Sequence, residues 1–321
     1  MKFCIVGAGA IGGLAGAWLA RAGHEVSLVA RGEHLAALRA RGLTLETAGK
    51  RETFAVAASD DPGAFGQQDA VIIGLKAYSI AAMLPRLAPL VGGDTAVVPA
   101  INGLPWWYFH REGGRFDGQP VECLDPGGRM LAALDPSHIV GCVVHAAAEV
   151  VEPGVVRHTA ENRFILGEPD RSQSARAQRI AAAMQQAGFN APVSADIRQD
   201  IWMKLIGNLS YNPIAALTLA WMQDINGSED ILAVVRVLME ETMRVAQAHG
   251  IVINMSVEER ITLARRIGNS KISMHQDVER RRPLEIDAIT GAVLELGRKA
   301  GVDAPTIRLM HTLLVERARH L

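Results

Sequence analysis

At 321 residues the chain is about twice the ~150 residues of a single domain, so two domains are expected rather than one core. Hydrophobic residues make up 49% and charged residues 21%, with Lys+Arg 33 against Asp+Glu 34. That composition excludes wholesale disorder, and the balanced charge argues against nucleic acid, whose binding needs clustered Lys and Arg; small-molecule ligands are favoured.

Three cysteines, Cys4, Cys123 and Cys142, are an odd number without metal-like spacing. Neither a disulfide framework nor a metal site is expected, and a reducing cytoplasm fits best. Lys2 and the apolar run ending at Ala20 have the outline of a secretory signal peptide. Glycines at fixed offsets within that run, and a strand pattern at 25–30 that would lose its partner, weigh against this reading. No other apolar stretch reaches the ~20 residues of a membrane span, so no membrane association is expected.

In chain order, residues 2–6, 25–30, 70–75, 95–100 and 139–144 read as buried strands of a parallel sheet, with helical connections such as 11–22 between them. Such alternation predicts an α/β fold with a Rossmann-type, doubly wound parallel sheet. A hairpin follows, 149–151 and 155–159 around Glu152-Pro153-Gly154, and then a strand at 163–167. These antiparallel strands are expected to extend the sheet at one edge. From about Ser174 the pattern is helical, with Gly188, Gly250 and Gly301 placed as C-terminal caps. The longest helix is expected at 228–249, its buried face carrying Ile231, Val234, Val235, Leu238, Thr242, Val245 and Ala246. The expected domains are thus 1–191, holding the sheet, and 192–321, all-α, divided near Ala191-Pro192.

Gly7-Ala8-Gly9-Ala10-Ile11-Gly12 follows the first strand and opens the first helix, the setting a G-x-G-x-x-G dinucleotide site requires. Gly7 permits the turn, Gly9 admits a pyrophosphate, and Gly12 lets helix pack on strand. The Ala10 and Ile11 amides would meet the phosphates at the positive end of the helix. At the end of the second strand stands Arg31, where an NAD site offers a carboxylate; an arginine suits the 2′-phosphate of NADP, the alternative being a solvated charge. Lys76 and Asn102 sit where other parallel strands end, open to readings as cofactor contacts or as a solvated lysine and a turn.

An aromatic run, Trp106-Trp107-Tyr108-Phe109, precedes residues 111–129, which hold five glycines and two prolines. In the helical half, Lys204, Asn208 and Asn212 share one side of an apolar helix at i, i+4, i+8, as a structural network or as a substrate site. Farther on lie Ser273-Met274 with Gln276-Asp277, then Arg280-Arg281-Arg282, which reads as a solvated loop, and Glu285, which can cap the following helix.

Taken in order, these motifs resemble the ketopantoate reductase (2-dehydropantoate 2-reductase) family over nearly the whole chain. The resemblance rests on the glycine fingerprint, Leu75-Lys76-Ala77, Asn102-Gly103, Pro153-Gly154 with Arg157-His158, Lys204 with Asn208 and Asn212-Pro213, Ser273-Met274, and Glu285-Ile286-Asp287 with Gly291. It implies reduction of a 2-oxo acid by NADPH in a cleft between a Rossmann domain and a helical domain, in a cytoplasmic pathway toward pantothenate. It also implies Lys204 as general acid and substrate ligand, and Glu285 as a carboxylate supporting that lysine and the cofactor. Asn208, Asn212 and Ser273 would contact substrate, while Lys76 and Asn102 would lie on the cofactor side. The sequence departs from the family pattern at 105–109, in the glycine-rich segment and at Thr218-Leu219-Ala220-Trp221-Met222. These apolar groups suggest a bulkier 2-oxo acid as the alternative substrate, or else anchors for a longer loop. A non-catalytic NADP-binding sensor is a further reading, disfavoured by retention of Lys204 and Glu285. No metal is required, and an apolar helical domain is compatible with a homodimer.

Overall fold

Short aliphatic runs bounded by glycine, proline and aspartate become strands through most of the first half. The computed structural model describes residues 1–321. In chain order the strands are β1 (Lys2–Val6), β2 (Glu25–Val29), β3 (Leu43–Thr47), β4 (Lys50–Phe54), β5 (Ala57–Ser59), β6 (Ala70–Ile73), β7 (Ala96–Pro99), β8 (Gly141–Glu152) and β9 (Val155–Gly167). One sheet is parallel throughout, in the order β5-β2-β1-β6-β7; the other is mixed, in the order β4-β3-β9-β8. The central strands β1 and β6 are buried on both faces after the first residue of β1, which is why they read as unbroken apolar runs without alternation.

The chain forms two compact units. Met1–Ile101, Phe109–Gln119 and Gly128–Ile197 make the first; Asn102–Tyr108, Pro120–Gly127 and Arg198–Leu321 make the second. Two short loop segments of the N-terminal half therefore belong with the helices, a division that sequence distance does not reveal.

Helices α1 (Ala10–Arg21), α2 (Gly32–Arg41), α3 (Ile80–Met83), α4 (Arg129–Ala133) and α5 (Ala175–Gln186) lie in the first unit. Helix α1 is buried nearly all round because both sheets cover it. Phe3, Ile5 and Leu28 of the parallel sheet join Val156 and Phe164 of the mixed sheet in the core around Leu14 and Leu19. Its small residues let the sheets approach: a Cβ at Gly16 would meet Leu28 at 3.0 Å, and one at Gly13 would meet Val156 at 2.5 Å.

Residues 139–144 differ from expectation. Ile139 makes only an isolated parallel bridge to Val97, and from Gly141 the chain is β8, antiparallel to β9. A buried β-branched run looks the same in either orientation, and the tight Pro153-Gly154 turn decides its partner. The antiparallel strands therefore form a sheet of their own, not an extension of the parallel one. The two short arms expected for the hairpin are parts of β8 and β9, whose pairing shifts register near Ala146–Ala148 and so blurs the two-residue period. A second hairpin, β3 to β4 through Ala48 and Gly49 (φ +50° and +77°), was not expected from the sequence.

The second unit holds α6 (Ile197–Thr218, which begins at the division), α7 (Met222–Gly227), α8 (Glu229–Ala248), α9 (Val257–Arg265), α10 (Ser273–Glu279), α11 (Ala292–Ala300) and α12 (Pro305–Arg319). The longest is α6 with 22 residues, not α8 with 20. Pro213 lies inside α6, where its missing N–H leaves the Leu209 carbonyl without the usual i+4 donor. The face of α8 is centred on Val235, Leu238 and Thr242 as expected, whereas Val234 points away and is 39% exposed. Gly188, Gly250 and Gly301 all have positive φ after helices, as C-terminal caps require. No helix is long and apolar enough to cross a membrane.

Candidate active site in two halves

The first half is made of backbone. Gly7, at φ +96°, turns the chain out of β1, and the N–H groups of Gly7 and Ala8 donate to the Val29 carbonyl at 3.0 and 3.3 Å. A Cβ at Gly12 would stand 2.1 Å from the Gly7 carbonyl oxygen, so only glycine closes this turn. Gly9 caps α1 without a side-chain hydrogen bond, and nothing lies within 4 Å of the place its Cβ would occupy. The Ala10 and Ile11 amides thus stand at the positive end of α1 with no side chain across them, an arrangement that fits a dinucleotide pyrophosphate. Arg31, exposed, caps α2 just beyond β2. Lys76, half-buried, caps a single turn beyond β6, next to Gly74 and Leu75, which pack against the glycine turn. The first unit therefore gathers the fingerprint, Arg31 and Lys76 at the carboxyl ends of its central strands.

The second half is made of side chains. On α6, Lys204 and Asn208 are half-buried and Asn212 is 3% exposed. Lys204 Nζ donates to Asn102 Oδ1 at 2.5 Å. Asn102, the residue expected on the cofactor side, belongs to the helical unit and accepts from the lysine there. Its loop is fixed in turn, because the Leu104 N–H donates to the Ala288 carbonyl at 2.8 Å. Gly103 between them has φ +79°, and a Cβ there would lie 2.2 Å from the Ala288 oxygen. Ala288 sits in a π-helical turn, Asp287–Gly291, that opens α11 directly after the buried Glu285. Such turns are rare and concentrate at functional sites. Thr290 in this turn donates to Ile286 O at 3.0 Å and accepts from His311 Nδ1 of α12 at 2.8 Å, which anchors it. The turn and its contact with Gly103 escape sequence reading, since no periodicity distinguishes one π turn within a helix.

Asn212 uses its carbonyl oxygen within the protein. Its Oδ1 accepts from Ser273 Oγ and from the Met274 N–H, both at 3.1 Å, tying the start of α10 to α6. His275 adds a hydrogen bond from Nδ1 to Ala220 O at 3.1 Å, which ties α10 also to the loop that follows α6. Asn212 thus joins a hydrogen-bonded network with Ser273 through its Oδ1, and Asn208 lies one turn from Lys204 on the same side of α6.

The aromatic run does not enlarge a site. Trp106, Trp107, Tyr108 and Phe109 are all at most 2% exposed. Tyr108 accepts from Trp202 Nε1 at its hydroxyl and from Arg198 Nε at its carbonyl, each at 2.7 Å, and Phe109 packs on Phe116 at 5.4 Å between centroids. They anchor the glycine-rich loop, as the second of the two readings held. Met222 is buried, and Trp221 carries the Lys271 ammonium 5.0 Å from its ring centroid. Burial, with Glu295 beside it, pushes the Cys123 thiol well above its usual range, which disfavours the thiolate.

A glycine-turn Rossmann unit joined to a lysine- and asparagine-bearing helical unit defines a nicotinamide-dependent oxidoreductase. The family model described as Ketopantoate reductase PanE/ApbA matches residues 3–106, and its C-terminal counterpart matches residues 196–318. The chain is 44% identical to the 2-dehydropantoate 2-reductase of Mesorhizobium japonicum over 322 residues, 99% of each chain. A crystal structure from Ralstonia solanacearum MolK2, assigned as a ketopantoate reductase, superimposes with a TM-score of 0.95 at 41% identity, covering 99% of this chain and 98% of that one. A PanE/ApbA family ketopantoate reductase from Ralstonia eutropha JMP134 gives 0.84 at 30%, covering 100% and 99%. The protein belongs to the ketopantoate reductase family.

The Gly103 contact generates a direct prediction. Gly103→Ala must push the loop off Ala288 and displace Asn102, lowering turnover by about 10- to 100-fold. Cofactor affinity, measured by fluorescence titration, should stay near wild type, because the glycine turn lies in the other unit. Unchanged turnover would show that the loop does not position the lysine.

Proposed function

We propose that the protein reduces 2-dehydropantoate to pantoate with NADPH, in a cytoplasmic route toward pantothenate, with Lys204 as general acid. The observation that carries this reading is the Lys204 ammonium fixed by Asn102 at 2.5 Å on the helix face that also bears Asn208, in a chain 44% identical to a 2-dehydropantoate 2-reductase. Bound NADPH supplies a hydride to the ketone carbon. As the carbonyl oxygen gains negative charge, the Lys204 ammonium stabilises it and then donates a proton, giving the alcohol. Asn102 takes one of the three N–H donors and is neutral, so it orients the ammonium without cancelling its charge. Asn208 offers an amide to the substrate, and Ser273, held by Asn212, offers a hydroxyl. Glu285 supports the lysine and the cofactor from its buried position. On the cofactor side, Gly7 to Gly12 would receive the pyrophosphate, Lys76 would serve the ribose or phosphates, and Arg31 would pair with the 2′-phosphate.

Lys204→Ala is expected to lower kcat by about 10²- to 10⁴-fold while NADPH binding survives. Steady-state assays at saturating cofactor test this, and a mutant with wild-type turnover would remove the lysine from the mechanism. Arg31→Glu should weaken NADPH by about 10-fold or more and leave NADH unharmed; equal effects on both cofactors would assign Arg31 to the surface alone.

A further inference from the structure

The Pro153-Gly154 turn between β8 and β9 has no part in the chemistry above, yet three hydrogen bonds dock it within the first unit. Arg41 Nη2 donates to Pro153 O at 3.1 Å, the Thr44 N–H to Gly154 O at 2.9 Å, and the Gly154 N–H to His34 Nδ1 at 3.1 Å. Gly154 has φ +85°, and a Cβ there would stand 3.1 Å from that of Ala37, so the turn lies against α2. His34 is on the first turn of α2, three residues after Arg31. Because its Nδ1 accepts, the neutral imidazole carries its proton on Nε2. That nitrogen is shut off from water and has no hydrogen-bond partner, an unusual state for a buried donor.

The polar group that faces the ring is the backbone of Ala8, inside the glycine turn, while burial lowers the pKa and keeps the ring neutral. Ala8 is 3% exposed, and no backbone N–H donates to its carbonyl. A second approach brings β9 to the same carbonyl: a Cβ on Gly13 would lie 2.5 Å from Val156 Cγ2 and 3.4 Å from Ala8 O. The Ala8 N–H is already held by Val29 O at 3.3 Å, which leaves the carbonyl as the free end of this residue. In a trans peptide the Gly9 N–H points opposite to the Ala8 carbonyl. A carbonyl turned to His34 therefore turns the Gly9 amide the other way, and the open Gly9 position leaves room there for a phosphate.

We propose that His34 is a positioning residue for the dinucleotide: held by Gly154 through Nδ1 and directed through Nε2 at the Ala8 carbonyl, it presents the Gly9 amide to the pyrophosphate. This assignment rests on the cofactor reading of the glycine turn. The β8–β9 turn of the mixed sheet then has a function, since it sets the imidazole that orients a turn of the parallel sheet.

The test measures NADPH and NADH dissociation constants by fluorescence titration in wild type, His34→Ala, His34→Asn and His34→Gln, with thermal melts as the check on folding and kcat taken at saturating cofactor. His34→Ala should raise Kd by about 10-fold for both cofactors alike, because the pyrophosphate is common to them, with kcat changed much less. Asparagine can place an oxygen where Nδ1 stands and glutamine an N–H where Nε2 stands. His34→Asn should therefore recover the melting temperature but not the affinity, and His34→Gln should recover part of the affinity. If His34→Ala or His34→Asn folds and binds both cofactors as tightly as wild type, His34 only fastens the β8–β9 turn and the proposal falls. Loss confined to NADPH would also overturn it, by placing the effect at the 2′-phosphate. A wild-type protein that binds neither cofactor overturns the functional reading and this assignment together.

Discussion

The position of one ammonium group organises the helical unit. A lysine on an apolar helix has four flexible bonds and would reach for water unless something fixes its tip. Here Asn102 fixes it at 2.5 Å, and Asn102 is in turn fixed by a backbone contact that only glycine permits, Gly103 against Ala288. The π turn holding Ala288 follows Glu285 and is pinned to α12 through Thr290 and His311. A hydrogen bond to a neutral amide and one close backbone approach thus help to set the position of a charged group.

The two units divide the work by chemistry. The first presents backbone amides and strand ends, suited to a cofactor whose phosphates and ribose are common to many reactions. The second presents side chains: the Lys204 ammonium, held by Asn102, and Asn208 one turn farther along the same face of α6. This separation allows the substrate side to diverge while the glycine turn stays constrained by sub-3 Å approaches at Gly7 and Gly12.

Much of the first unit was legible because its signals are local. The fingerprint follows β1 and opens α1 in the expected frame, and the apolar runs at 2–6, 25–30, 70–75 and 95–100 mark four of the five parallel strands. The family was legible from motif order. What failed was everything decided by partner choice. Residues 139–144 read as a fifth parallel strand but pair with β9, while the short β5 takes the edge of the sheet instead. Aromatics at 106–109 read equally as a wall for a bulkier substrate or as loop anchors, because bulk is visible in sequence and burial is not; Tyr108 meets Trp202 across 94 positions.

The central claim, that Asn102 acts by holding Lys204, is tested most directly by a double-mutant cycle on kcat/KM with Asn102→Ala, Lys204→Ala and the pair, alongside NADPH dissociation constants. The account predicts strong coupling of about 1–3 kcal/mol, with Asn102→Ala costing almost nothing further once Lys204 is gone. Additive losses, with Asn102→Ala weakening NADPH equally in both backgrounds, would contradict it and place Asn102 on the cofactor instead.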